Sequence, residues 1–177
     1  MFKKNSFEVT KYKAQKIWSI EQVKNYLRVS HSYDDDLIKN LIAAAISTAE
    51  SFTGFCLIAR EITFISNLNK MKFELEYSPI KKLVSIHTQR NSDLFELNDN
   101  QYYVDLKRSL FYLKEPLYQQ ELMLKYIAGF KASEIPASVK QGILLHTCEM
   151  YDREGESNSV LSNENKNLYL PYKKIRI

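Results

Sequence analysis

Apolar residues recur every three or four positions in DDDLIKNLIAAAISTAESFTG, residues 34–54. Leu37, Leu41, Ala45, Ala49 and Phe52 form one face, and Ile38 and Ile42 widen it, so the run predicts an amphipathic helix with two neighbours to pack against. Asp34, Asp35 and Asp36 can accept the unpaired N–H groups of a first turn and suit the positive end of the helix dipole, while Gly54 suits a left-handed stop. The helix is expected over 34–53, a rod of roughly 27 Å.

Upstream, Ser19 and Gln22 have capping-box spacing and Ile20, Val23 and Leu27 share a face, predicting a short helix over about 19–29. The polar connector Ser30, His31, Ser32, Tyr33 would join the two helices as a hairpin. After Gly54 the period falls to two: Met71, Phe73, Leu75 and Tyr77 alternate with Lys72, Glu74 and Glu76, and Pro79 ends the run. Further short strands are expected at 57–65, 83–88, 94–97, 102–105, 110–113 and 121–127, making an antiparallel β unit over about 57–127. Pro136 then opens a helix over about 136–154, with Val139, Ile143, Thr147 and Met150 on its face and Gly155 as its stop.

The expected fold class is α+β: a three-helix core, made of the helical hairpin plus the C-terminal helix, with the β unit inserted between the second and third helices. One domain would span 18–155. Residues 1–17 interleave lysine with aromatics without a clean period and are expected as an arm. Residues 156–177 are expected as loop and tail, ending in LYLPYKKIRI, whose alternating apolar and basic residues want a surface to lie on.

Composition narrows the chemistry. The 177 residues are 45% apolar and carry a net charge of +4, which permits contact with nucleic acid without demanding it. Cys56 and Cys148 are far apart and read as small buried residues of a reducing compartment. The start has no apolar signal region and no run is long enough to span a bilayer, so a cytoplasmic product with no membrane partner is expected. Isolated glycines exclude a phosphate-binding fingerprint. The three aspartates could hold a divalent cation, but no further carboxylates follow at a calcium-loop spacing, and a helix start uses them fully. His31, His87 and His146 are not paired at ligand spacing, and His146 and Cys148 point to different sides of a helix. No catalytic, metal or cofactor residue is expected.

In succession the motifs resemble the phage head-tail connector proteins, also called adaptor or head-completion proteins, of tailed phages, prophages and gene transfer agents. The resemblance rests on SIEQVK and YLRV at 19–29, DDLI and LIAAA at 35–45, Glu50 with Thr53-Gly54, and Ser78-Pro79-Ile80 leading to Val84-Ser85-Ile86. It continues through Tyr103-Val104-Asp105, KYIAGF at 125–130, Ile135-Pro136 with Val139-Lys140-Gln141, Tyr151-Asp152-Arg153-Glu154 and Leu170-Pro171-Tyr172-Lys173. It covers residues 18–177; the arm departs from it, and so does Gly142, where alanine is usual and a helix would prefer it.

The resemblance implies a non-enzymatic structural protein: a ring of about a dozen copies under the portal that extends the DNA channel and meets a downstream stopper or tail-completion protein. It implies assembly in the bacterial cytoplasm and a final place at the head-tail junction. Expected subunit contacts are Asp35, Asp36, Ile38, Ile42, Tyr151, Arg153 and Glu154; the expected portal-docking tail is Leu168, Leu170, Pro171, Tyr172, Lys173, Lys174 and Arg176. DNA passing through would meet weak, sequence-independent, salt-sensitive contacts. The alternative is a small non-specific DNA-binding module using the basic arm and tail.

Overall fold

The computed structural model describes residues 5–12, 16–67, 70–90, 93–117, 120–152 and 161–174. They form four α-helices and eight strands in two antiparallel sheets. The expected three-helix core with one inserted β unit is therefore corrected: a strand precedes the first helix, a fourth helix follows the third, and the β region forms two sheets. The chain divides into two compact units, one of residues 1–14 and 58–130 and one of residues 15–57 and 131–177.

In the second unit, α1 (Ile20–Leu27) starts on the expected capping box: Gln22 N–H donates to Ser19 Oγ at 3.2 Å and Ser19 N–H to Gln22 Oε1 at 2.9 Å. Helix α2 (Asp35–Thr53) stops at Gly54, which is left-handed with φ 75°. Helix α3 (Ala137–Asp152) follows a 3-10 turn at Ala132–Glu134. Val23, Ile38, Leu144 and Cys148 bring α1, α2 and α3 to one buried cluster, which Trp18, Ile20, Leu27, Ile42 and Tyr151 line. The Trp18 indole N–H donates to the Lys140 carbonyl at 2.8 Å, tying the entry of α1 to α3.

Helix α4 (Asn163–Tyr169) lies in the stretch expected as loop and tail and runs into a 3-10 turn at Leu170–Tyr172. Polar residues dominate it, and it buries only Asn165 and Tyr169, one turn apart. That single-turn contact is too brief a pattern to show as amphipathic periodicity.

The first unit holds a five-stranded sheet in the order β1-β2-β8-β4-β5, formed by β1 (Ser6–Tyr12), β2 (Arg60–Asn67), β8 (Glu121–Ala128), β4 (Ile80–Arg90) and β5 (Asp93–Glu96). A three-stranded sheet runs β3-β7-β6, from β3 (Lys72–Glu74), β7 (Leu110–Leu113) and β6 (Tyr102–Asp105). Strand β8 is central and alternates strictly: Leu122, Leu124, Tyr126 and Ala128 are buried between half-buried neighbours. Phe64, paired with Leu124, meets Phe73 of the smaller sheet at 6.1 Å between ring centroids. Phe111 continues that aromatic core between Phe73 and Tyr102.

Strand β1 corrects the expected arm. Phe7 and Val9 are half-buried and Glu8 and Thr10 exposed, a run too short to signal a strand until β2, more than fifty residues away, supplies the ladder. The Phe7 ring packs against that of Phe64, with centroids 4.7 Å apart and the planes tilted by 34°. After β8, Gly129 turns at φ 110°, and a Cβ there would stand 2.7 Å from the Ile58 carbonyl oxygen, so only glycine fits.

Candidate assembly surface

The acidic start of α2 is spent mostly inside the subunit. Asp34 is the N-cap, but its side chain caps no backbone group. Its carboxylate instead accepts from the Tyr151 hydroxyl at 2.7 Å and lies 3.6 Å from His31 Nε2. Asp35 pairs with Lys24 of α1 at 2.6 Å. Two of the three carboxylates thus staple α2 to α3 and α1, partly out of solvent, where charge-assisted bonds are strong. Asp36 faces water with 92% of its side chain exposed and bonds Lys39, which holds its carboxyl below the usual range and lifts the lysine above its own.

Of the other expected subunit contacts, Ile38 is fully buried and Ile42 and Tyr151 line the cluster around it. Arg153 and Glu154 lie outside the described residues. The face of α2 that stays exposed runs through Asp36, Asn40, Ala44, Ser47 and Ser51. Beyond Lys39, which pairs with Asp36, its later residues Ala43, Ala44, Ser47 and Ser51 are small, so another surface can approach the backbone closely there. Among the described residues no group of three or more His, Cys, Asp or Glu could hold a metal ion, and no helix is long and apolar enough to cross a membrane.

The tail residues divide by side. Tyr169 is fully buried, its ring 6.0 Å from that of Phe52. A Cβ at Gly142 would lie 2.5 Å from Tyr169 Cε1, so the glycine opens the notch in α3 that the ring fills. Burial, and after it the Glu149 carboxylate, raises the Tyr169 phenol well above its ordinary value. Glu149 also anchors the start of α4, accepting from Ser162 Oγ at 2.9 Å and Asn165 Nδ2 at 3.0 Å.

Past the ring, Lys174 N–H donates to the Thr53 carbonyl at 2.7 Å and Lys173 Nζ stands 5.2 Å from the centre of the Phe52 ring. The last turn of α2 holds no basic residue of its own. These two lysines bring a donor and positive charge to its C-terminal end, where carbonyls lack partners. Leu168 is half-buried, whereas Pro171 is exposed and Leu170 and Tyr172 are 57% and 38% exposed. Arg176 lies outside the described residues.

The profile of the head completion protein family matches residues 16–165. The chain belongs to the head completion protein family. Its role is structural, in the connection of head to tail, and neither the family nor its structural neighbours are described as enzymes. A comparison with curated proteins finds no match. Among solved structures, this head completion protein is similar to a chain in the neck of an empty GTA particle computed with C6 symmetry: TM-score 0.78, 15% identity, 97% of each chain covered. A chain in the virion of a native gene transfer agent particle gives TM-score 0.77 at 14% identity, covering 97% of this chain and 96% of that one. A chain in the neck of a native GTA particle computed with C12 symmetry gives 0.75 at 13% identity, with 97% of each covered. At such identity the likeness shows a shared fold.

Sequence reasoning did not find the seat that Phe52, Gly142, Glu149 and Tyr169 build. Its one trace was Gly142, a glycine inside a helix that should prefer alanine.

Proposed function

We propose that this head completion protein closes into a ring of about a dozen copies beneath the portal, extends the DNA channel and presents a platform to the next neck or tail component. What supports this reading is likeness over nearly the whole chain to subunits of particle necks computed with C6 and C12 symmetry. Family membership over residues 16–165 supports it independently.

A closed ring needs a head-to-tail contact between two different surfaces. Asp36 and the small residues along the exposed face of α2 provide one candidate surface. The outward side of the tail, with Leu170, Pro171 and Tyr172, is the proposed portal contact, and Lys173 and Lys174 add positive charge beside it. DNA would slide past basic side chains held by weak, salt-sensitive attraction.

The test is electron microscopy of the purified chain mixed with its portal. A ring of added density on the portal is the expected result. A chain that stays monomeric beside portal, yet binds duplex tightly and loses it steeply with salt, would overturn the connector reading in favour of a DNA-binding module.

A further inference from the structure

We propose that the five-stranded sheet continues from one copy of this chain into the next, β5 of one subunit pairing with β1 of its neighbour. These strands are the two edges of the sheet: among the described residues β1 pairs with β2 alone and β5 with β4 alone. A free edge presents backbone N–H and C=O groups that another strand can use. All four residues of β5 are exposed, and successive side chains of a strand point to opposite faces, so Leu94 (58% exposed) and Phe95 (53%) leave both sides of this edge apolar and open. No lysine, proline or bulge guards it, and its charges are the carboxylates of Asp93 and Glu96.

The occupant follows from charge. Residues 1–12, which include β1, carry Lys3, Lys4 and Lys11 against Glu8, so the opposite edge of the sheet is the basic one. Two β5 strands paired about a two-fold axis would set Asp93 across from Glu96, and like charges facing each other repel. Two β1 strands would gather the lysines. Only β5 on β1 joins opposite charges, and because it uses two different surfaces the contact is head-to-tail and repeats.

The register agrees. Phe95 pairs with Thr88 and Thr88 with Leu122, which places Phe95 on the face that holds Leu124, Phe64 and Phe7. Continuing the sheet brings Phe95 of one copy beside the half-buried Phe7 and Val9 of the next, so the apolar face is lengthened. Every pairing inside the sheet is antiparallel, and with five strands the first and last run the same way. The join between copies is therefore parallel, whereas a two-fold dimer through β5 would be antiparallel. Closure of the repeat into a ring rests on the connector reading; the edge pairing does not.

Cross-linking of the intact protein tests it. Unlabelled and heavy-isotope-labelled chains are mixed, alone and with portal, and treated with a carbodiimide, which joins carboxylate to amine without a spacer. Paired strands lie about 4.8 Å apart, so peptides holding Asp93 or Glu96 should be joined to peptides holding Lys3, Lys4 or Lys11 of the other isotope. Leu94→Lys with Glu96→Lys reverses the acidic edge at exposed positions, and should raise the concentration needed for self-association at least about tenfold while leaving Tm unchanged. Lys11→Glu added to that chain should restore association. Rings whose cross-links never join 1–12 to 93–96, or a doubly changed chain that assembles as the parent does, would overturn the edge pairing and leave the ring reading standing. A chain that stays monomeric both alone and with portal would overturn both.

Discussion

Gly142 and Tyr169 occupy one place: the tyrosine ring fills the volume in which a side chain on residue 142 would sit, with Cε1 only 2.5 Å from an added Cβ. A glycine in a helix interior costs about 1 kcal/mol relative to alanine. Here that cost admits a fully buried ring that joins the end of the chain to α3 and, through Phe52, to α2.

Gly142→Ala should therefore destabilise by about 1–3 kcal/mol despite the better helix former, because the ring must move. In a Tyr169→Ala background the same change should stabilise, by up to about 1 kcal/mol. Urea unfolding of the four proteins of this cycle measures both, and an unchanged sign in the second background would refute the steric account.

Removing the Tyr151 hydroxyl breaks the bond that ties α3 to the acidic start of α2. Tyr151→Phe should cost about 1–2 kcal/mol, the range for a partly buried bond to a carboxylate. Asp34→Asn should recover part of the loss in that background, because the uncompensated charge is gone; thermal melts read both effects.

Portal binding is best separated from folding by changing exposed side chains. Truncation after residue 167 would remove Tyr169 from the core along with the tail. Leu170→Glu with Tyr172→Ala should shift stability by no more than about 0.5 kcal/mol while weakening portal binding at least tenfold. Equal binding by the double variant in a sedimentation assay would remove the tail from the contact.

Burial, and then the Asp152 and Glu149 carboxylates, push the Cys148 thiol from its ordinary 9.0 up to about 11. The unfolded chain then loses the proton first as pH rises, so folding binds a proton and stability falls. The contribution is complete below pH 9 and is lost through pH 11, on the order of 2 kcal/mol. The buried Tyr169 phenol, also raised, adds loss of the same sign at higher pH. In reductant, Cys148→Ala should flatten the fall of the urea midpoint between those pH values; an identical slope in both proteins would contradict the assignment.

The amino-acid order alone determined the local elements. The capping box at Ser19 and Gln22, the stop at Gly54, the apolar face of α2 and the alternation along β8 are each written in residues a few positions apart. The succession of those motifs was also enough to reveal the family, which residues 16–165 confirm. Tertiary structure decided what depends on distant partners. Strand β1 exists because β2 offers an edge, and α4 because α3 leaves a notch at Gly142. The acidic start of α2 became a staple only when folding brought Lys24 and Tyr151 to it. Sequence periodicity reports a segment's own faces, whereas these three features are set by surfaces that meet only after the chain has closed loops of very different lengths.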